Sequence, residues 1–293
     1  MPLLPLVQSR TVGSLRVHAL QAGLQQLDGG AMFGVVPKTL WERKIPADAR
    51  NRIPLGMRCL LVEHPGGLVL IDTGAGNKES NKFYGIYGIE NAPIGDVGPT
   101  QLESALAEAG FSADDVKTVI SSHLHFDHAG GNTTRNADGA IVPSFPNARY
   151  VARRGEWDWA HKVNERTSAS YFPHNYEPLR EAGILELVDD DREILPGLSL
   201  RRTPGHTPHH QGVLITSGKE RMFYVADLAP TVAHVPLPWI MGYDVEPLVT
   251  LETKRRLWAE AADERWTVVF EHDATNAWGR IVAEGKGYAC EVI

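Results

Sequence analysis

The sequence has few of the features that mark disulfide-bonded, membrane-spanning or nucleic-acid-binding proteins. It contains only two cysteines, Cys59 and Cys290, which are far apart and form no CxxC pair. This spacing excludes a disulfide framework and favours a reduced, cytoplasmic location. No stretch approaches the roughly 20 consecutive apolar residues of a spanning helix, so we expect no membrane partner. The formal net charge of −7 disfavours a nucleic-acid partner.

The chain also lacks targeting and linker signals. Residues 1–7 contain two prolines and no basic residue, which predicts a start-of-chain arm rather than a signal peptide. No repeat, low-complexity tract or Pro/Gly/Ser-rich linker divides the rest. We therefore predict that residues 1–293 form one domain.

Periodicity and turn residues predict a mixture of strands and helices. Leu15, Val17 and Ala19 alternate as in a half-buried strand. The glycine-rich residues 72–99 predict a long surface loop. The other predicted elements are two hairpins (59–62 with 68–71, 213–216 with 222–225), helices at 100–109 and 247–262, and short strands at 116–120, 150–151, 198–200 and 267–270. This order lacks regular βαβ alternation and favours two β-rich halves covered by helices.

Histidine is the residue type that is conspicuously present, with twelve copies. His123 and His125 are two positions apart on an extended segment, so their side chains point the same way and can bind one metal ion. Asp127 and His128 follow after the chain turns and can face a second point. Imidazole and carboxylate are the usual ligands of catalytic zinc, and four candidates in six residues suggest two ions.

Three further candidate ligands follow apolar strands elsewhere in the chain. His206 lies in the segment Thr-Pro-Gly-His-Thr at 203–207, Asp227 ends the run at 223–226, and His272 follows the run at 267–270. Polar residues at strand ends open into loops, where active sites form. Taken alone, each histidine is more typical of a surface or core residue. The cluster at 123–128 is what makes them candidates.

These motifs together resemble the metallo-β-lactamase superfamily. The matching segments are HLHFDH at 123–128, PGHT at 204–207, Asp227, His272 and the IDTG turn at 71–74. Within that superfamily, DGGAMFGVVPK at 28–38, Leu40-Trp41 and ADLAPT at 226–231 resemble the YtnP-like quorum-quenching lactonases. Those enzymes open the ring of N-acyl-homoserine lactones.

The resemblance implies an αββα sandwich with two zinc ions, although other divalent transition metals are possible. It implies that His123, His125 and His206 hold one ion, that Asp127, His128 and His272 hold the other, and that Asp227 bridges them. Asp72 would orient a ligand without binding metal. A homodimer is common among such relatives and is expected by analogy only.

One position departs from the pattern. Several acyl-homoserine lactonases carry a tyrosine three residues after the bridging aspartate, where it contacts the substrate carbonyl, and this chain has Pro230 there. His234 is our candidate for that polar role, with a surface loop histidine as the plainer interpretation. Aromatic and methionine side chains in the loops are candidates for an acyl-chain pocket, with core packing or a dimer contact equally possible: Met32, Phe33, Trp41, Phe83, Tyr84 and Trp239.

The implied mechanism is hydrolysis by a hydroxide shared between two metal ions. Metal binding lowers the pKa of water toward ~7, and either Asp127 or Asp227 can carry a proton to the departing alkoxide. A phosphotriesterase or a broad esterase of the same fold is the alternative, to be separated by parallel assays on a lactone and an aryl phosphotriester. A redox di-iron protein is less expected, because those proteins carry a carboxylate where His125 stands. A non-catalytic binding protein would be expected to lack a ligand.

Overall fold

The computed structural model describes residues 5–91 and 99–293. Contacts between Cα atoms divide the chain into two compact units. Unit 1 comprises Met1–Thr11, Leu15–Leu24 and Met57–Asp190, and unit 2 comprises Val12–Ser14, Gln25–Gly56 and Asp191–Ile293. That residues 1–293 form a single domain stays a prediction.

Unit 1 contains most of a seven-stranded mixed sheet and a separate two-stranded sheet. The order in the main sheet is β1 (Val7–Val12), β2 (Leu15–Asp28), β3 (Arg52–Glu63), β4 (Leu68–Ile71), β5 (Val116–Ile120), β8 (Arg149–Arg153) and β9 (Leu185–Val188), while β6 (Thr133–Arg135) pairs with β7 (Ile141–Pro143). The helices of this unit are α3 (Asn81–Tyr87), α4 (Gln101–Glu108), α5 (Phe126–Ala129), α6 (Arg154–Ala160) and α7 (Glu177–Glu181).

Unit 2 contains a second seven-stranded sheet and the longest helix. The strand order is β10 (Glu193–Leu195), β11 (Leu198–Arg202), β12 (Gln211–Ser217), β13 (Glu220–Tyr224), β14 (Thr267–Val269), β15 (Trp278–Glu284) and β16 (Gly287–Val292). The helices are α1 (Gly29–Phe33), α2 (Lys38–Trp41) and α8 (Pro247–Asp263), and 3₁₀ turns form at Ala226–Leu228 and Val232–His234.

Parallel strand pairs bring the candidate ligands of each unit to one sheet edge. In unit 1, β5 runs parallel to β4, with Ile71 opposite Ile120. In unit 2, β13 runs parallel to β14, with Tyr224 opposite Val269. The carboxyl ends of adjacent parallel strands open at the same edge. Segments that follow two such strands therefore start side by side.

Most of the predicted elements are confirmed. Both hairpins form as antiparallel pairs. The strand predicted at 116–120 is β5 with the same bounds, and α4 begins with a capping box between Thr100 and Glu103. Helix α8 exceeds the predicted 247–262 by one residue.

One prediction of irregular structure is wrong. The predicted loop at 72–99 contains α3, which Ser80 caps through a hydrogen bond from the backbone N–H of Phe83; residues 92–98 of that loop lie outside the described residues. The arm predicted at 1–7 stays a prediction, since strand β1 begins at Val7, its last residue, and residues 1–4 lie outside the described residues. Among the helices within 5–91 and 99–293, none combines the length and the apolar character needed to cross a bilayer.

Candidate functional site

The HLHFDH segment of unit 1 forms a tight cluster directly after β5. The ring of His123 lies 4.4 Å from that of His125 and 4.0 Å from that of His128, measured between centroids. His125 caps the short helix α5, which carries Asp127 and His128. One potential ligand atom of Asp127 lies within 4.8 Å of one of His128, and the same holds for His123 and His125. The two pairs expected from their spacing are thus formed.

Asp72 and Ser122 fix the orientation of two of these imidazoles. The Asp72 carboxylate accepts hydrogen bonds from the backbone N–H of Ser122 (2.7 Å), the Ser122 hydroxyl (2.7 Å) and Nδ1 of His128 (3.1 Å). The Ser122 oxygen, whose own proton is donated to Asp72, lies 3.0 Å from Nδ1 of His123 and accepts a hydrogen bond from it. Both rings therefore carry their proton on Nδ1 and present Nε2 for metal binding, as metal-ligating histidines usually do. The orienting role predicted for Asp72 agrees with these contacts, while Ser122 was missed.

Two glycines let the IDTG turn pack against this cluster. A Cβ atom added to Gly130 would lie 2.3 Å from the carbonyl oxygen of Ala75, and one on Gly131 would lie 2.2 Å from that of Thr73. The backbone N–H of Thr73 donates to the carbonyl of His128 at 2.8 Å. Only glycine fits where two backbones approach this closely.

A buried carboxylate supports the other side of the HLHFDH segment. Glu156, which is buried, accepts hydrogen bonds from the backbone N–H of Leu124 (3.2 Å) and the hydroxyl of Tyr171 (2.8 Å). The Tyr171 ring packs edge-on against His125 at 4.6 Å. Burial, reinforced by Glu156, raises the pKa of Tyr171 well above its usual value, so the phenol remains a donor. No local signal in the sequence identifies this pair.

Asp227 is the central residue of the unit 2 cluster. Its Oδ2 lies 3.0 Å from Nε2 of His206, and its Oδ1 lies 3.2 Å from Nε2 of His272. The residue sits on the 3₁₀ turn after β13, where its backbone N–H donates to Nε2 of His210 at 3.2 Å. His210, which the sequence did not single out, thus helps to place the carboxylate.

The Nδ1 atoms of both unit 2 candidate histidines have fixed acceptors. Nδ1 of His206 donates to Oδ1 of Asp244 at 3.1 Å, and the Thr250 hydroxyl donates to the other oxygen of Asp244 at 2.6 Å. Nδ1 of His272 donates to the carbonyl of Gly56 at 2.7 Å. Asp244 was not predicted, because it is 38 residues from His206 in the sequence.

The donor set fits divalent metal ions. An imidazole that carries its proton on Nδ1 presents a lone pair at Nε2. The Nε2 atoms of His206 and His272 lie 3.0 and 3.2 Å from the oxygens of Asp227. Both the nitrogen and the oxygen of each pair are hydrogen-bond acceptors, so a cation, either a proton or a metal ion, is needed between them. Imidazole nitrogen and carboxylate oxygen suit zinc and its neighbours among the divalent transition metals.

The polar role predicted for His234 is wrong. The ring is buried in unit 2, with Nδ1 2.8 Å from the Thr231 hydroxyl and Nε2 2.8 Å from the carbonyl oxygen of Met32. Its face stacks on Phe33 at 4.5 Å. Burial lowers the pKa of His234 to about 4. With both nitrogens bonded inside the unit, the ring has no atom left for a substrate carbonyl.

Most of the predicted pocket residues are core residues. Met32, Phe33 and Trp41 belong to an apolar cluster of unit 2 and are at most 1% exposed. Tyr84 lies in a cluster of unit 1 with Phe126 and is 4% exposed. Phe83 and Trp239 are half-buried and remain candidates for contact with a substrate.

Comparisons with known proteins agree on one family. The model of the Metallo-beta-lactamase superfamily matches residues 54–272. An N-acyl homoserine lactonase from a Bacillus species is 31% identical over 232 residues, which is 75% of this chain and 82% of the relative.

Solved structures show the same fold over nearly the whole chain. A probable metal-dependent hydrolase from Staphylococcus aureus has a TM-score of 0.86 and 28% identity, covering 97% of this chain and 99% of that one. The dizinc quorum-quenching lactonase AidC, solved with the product N-hexanoyl-L-homoserine, has a TM-score of 0.79 and 22% identity, covering 98% and 97%. The predicted fold class is confirmed.

Proposed function

Because the chain belongs to the metallo-β-lactamase superfamily of hydrolases, we propose that it is a dinuclear zinc hydrolase that opens the ring of N-acyl-homoserine lactones. The substrate class is supported by relatives that carry the name N-acyl homoserine lactonase, among them enzymes from Bacillus cereus and Rhizobium radiobacter. The cytoplasmic location and the homodimer stay predictions.

The observation that carries the proposal is the placement of the two oxygens of Asp227. One faces His206 at 3.0 Å and the other faces His272 at 3.2 Å. A carboxylate that directs each oxygen toward a different imidazole would offer one ligand atom to each of two cations.

We assign the remaining ligands by the position of each residue in its motif. His123, His125 and His206 would hold one ion, and Asp127, His128 and His272 would hold the other. When bound, such ions supply a hydroxide at neutral pH and a Lewis acid that polarises a carbonyl oxygen. The protein's own contribution is to fix the ligand tautomers, through Asp72, Ser122 and Asp244.

The chain offers two carboxylates for the proton that ring opening requires. Hydrolysis of a lactone leaves an alkoxide on the homoserine part, and this group must gain a proton. Asp127 and Asp227 are 8% and 5% exposed, so each is shielded from bulk water but not sealed. We propose one of them as the donor. The chain needs no serine or cysteine nucleophile for this chemistry.

The test combines metal quantification with hydrolysis of a lactone and of an aryl phosphotriester. We expect about two ions per chain and lactone opening that is lost on chelation and restored by zinc. Fewer than about one and a half ions, with activity that survives the chelator, would refute the dinuclear proposal. Faster phosphotriester than lactone turnover would assign the alternative substrate.

The variant Asp227→Asn tests the bridging role. The substitution replaces one carboxylate oxygen by an NH2 group, so it leaves both histidines in place but removes the negative charge of Asp227. We expect loss of bound metal and a fall in kcat of at least about 100-fold, the upper end of what the loss of an orienting partner costs. Asp138→Asn, at an exposed turn, is the matched control and should behave as the wild type. Full turnover by Asp227→Asn would contradict the assignment.

A further inference from the structure

The segment that follows Asp227 in unit 2 wraps around one buried lysine. Lys254 of helix α8 has no exposed surface, although it begins a Lys-Arg-Arg run, a pattern that is typical of a solvent-exposed helix face. Its Nζ donates to backbone carbonyls of a single loop: those of His234 (2.6 Å), Pro236 (2.8 Å), Trp239 (3.0 Å) and, more weakly, Leu237 (3.4 Å). We call residues 234–239 the clamped loop.

The chemistry of the ammonium group suits this arrangement. In its protonated form it has three donors and no acceptor, so each N–H can bind a loop carbonyl; that of Pro236 also accepts the backbone N–H of Trp239 at 3.0 Å. A buried charge is costly unless it is fully hydrogen-bonded. Four carbonyls from a stretch of six residues converge on one nitrogen, so the loop takes the shape that the lysine imposes.

A second residue of α8 extends the same contact. Trp258 lies one helical turn after Lys254, and its indole N–H donates to the carbonyl of Val235 at 3.0 Å. Both side chains are on the buried face of the helix. Five of the six carbonyls in the clamped loop are therefore held by two residues of α8.

The clamped loop connects the candidate ligands to a partly exposed aromatic ring. Before the loop, the carbonyl of Pro230 accepts a hydrogen bond from the backbone N–H of His272 at 2.9 Å. At its end, Trp239 is half-buried, and its ring packs edge-on against Phe33 at 5.7 Å. An indole held in this way offers a rigid apolar surface.

We propose that Lys254, assisted by Trp258, is the positioning residue that holds the clamped loop so that Trp239 forms a wall for the acyl chain of the substrate. The assignment rests on the proposed lactonase function. The contact is with the acyl chain of the substrate rather than with its lactone ring, because the face of an indole is apolar. Longer acyl chains gain more from such a wall than short ones.

The variants Lys254→Met, Trp258→Phe and Trp239→Ala separate positioning from bulk stability. Lys254→Met keeps the length of the side chain and removes its donors. Trp258→Phe removes one donor and keeps a ring. Arg255→Met is the matched control, since Arg255 is the next residue of α8, is exposed and forms an ion pair with Glu252.

The first measurement is hydrogen exchange of the zinc-loaded protein over residues 230–243. We expect exchange there to be about tenfold faster in Lys254→Met, with a smaller increase in Trp258→Phe and none in Arg255→Met or Trp239→Ala. Unchanged exchange in the loop, or an increase spread over the whole chain, would overturn the positioning role. If Lys254→Met does not fold, Trp258→Phe decides the result.

The second measurement compares γ-butyrolactone with N-butanoyl- and N-decanoyl-homoserine lactone. We expect KM for the decanoyl substrate to rise about tenfold in Lys254→Met and Trp239→Ala, with kcat nearly unchanged and γ-butyrolactone unaffected. Equal losses on all three substrates would overturn the acyl-chain wall. If the wild type opens none of the three lactones, the proposed function is refuted, and with it the role of Trp239 in acyl-chain binding. Hydrogen exchange then tests the positioning role of Lys254 by itself.

Discussion

Oδ2 of Asp72 lies 3.1 Å from Nδ1 of His128, although the two residues are 56 positions apart. The contact exists because β4 and β5 are adjacent parallel strands, so the turn after one strand meets the segment after the other. The same carboxylate reaches His123 through the Ser122 hydroxyl. One buried aspartate thus sets the tautomers of two proposed ligands.

Replacing Asp72 by Asn should weaken metal binding without removing a ligand. The amide can no longer accept all three hydrogen bonds as a carboxylate does, so His128 and His123 lose their fixed tautomer. We expect zinc affinity to fall by about 10- to 100-fold. Competition with a coloured chelator measures this, with Asp138→Asn as the control. An affinity within twofold of the wild type would contradict the role.

Gly130→Ala should destabilise the protein. The new Cβ would meet the backbone of Ala75 at 2.3 Å, and backbone cannot move aside as a flexible side chain can. We expect a loss of about 1–3 kcal/mol in the free energy of unfolding. Gly85→Ala in α3 is the control, because nothing lies within 4 Å of its added Cβ. Replacing that helical glycine should stabilise by about 0.5–1 kcal/mol. Urea unfolding measures both variants. Equal changes in the free energy of unfolding for Gly130→Ala and Gly85→Ala would refute the packing argument.

His234 should make the stability of the protein depend on pH on the acid side. Burial lowers its pKa to about 4 in the folded protein, from 6.5 in the unfolded chain; Lys254 lowers it further, while Asp227 and Asp273 raise it. The unfolded state therefore binds more protons between pH 6.5 and 4. Stability contributed by this residue is present above pH 6.5 and is lost as the pH falls, by roughly 3 kcal/mol over the window.

The variant His234→Gln isolates that contribution. Unfolding is measured on metal-free wild type and variant between pH 7 and 5, so that the other histidines titrate equally in both. The advantage of the wild type should shrink as the pH falls. Parallel pH profiles for the two proteins would mean that His234 is not a buried neutral ring.

Lys254 should give a pH dependence of the same sign on the alkaline side. Burial lowers its pKa to about 7 from 10.5, and Asp244 opposes this only in part. Between these values the unfolded chain binds more protons, so the stability of the wild type relative to Lys254→Met should increase as the pH rises from 7 to 10. The slope should reach about 1.4 kcal/mol per pH unit. Denaturant unfolding at three pH values checks it, and a flat difference would contradict it.

Sequence patterns predicted the structural features that depend on residues close together along the chain. The strand β5 and the segment HLHFDH are adjacent in the sequence, and the capping box of α4 needs only Thr100 and Glu103. Asp227 and His272 could also be recognised as candidates, since a polar residue directly after an apolar run is a local signal.

Residues that act through the tertiary structure could not be predicted in this way. Lys254 stands in a basic run on a polar helix, and its burial depends on carbonyls 15 to 20 positions away. His234 follows Asp227 closely enough to suggest catalysis, yet its Nε2 bonds to Met32, 202 residues away. Asp244 and Glu156 are ordinary acidic residues in the sequence, and only their contacts distinguish them.

The parallel pairing of β13 with β14 has a consequence for how this chain can change. Parallel neighbours need a long crossover, and here it comprises the residues between Tyr224 and Thr267, including the clamped loop and α8. The two strand ends are held by the sheet itself, so the turn that carries Asp227 and the segment that carries His272 start from fixed positions. Insertions and substitutions between residues 237 and 243 could therefore alter which substrates fit, in evolution or by design, while Asp244 still binds His206 and the two strand-end ligands stay in register.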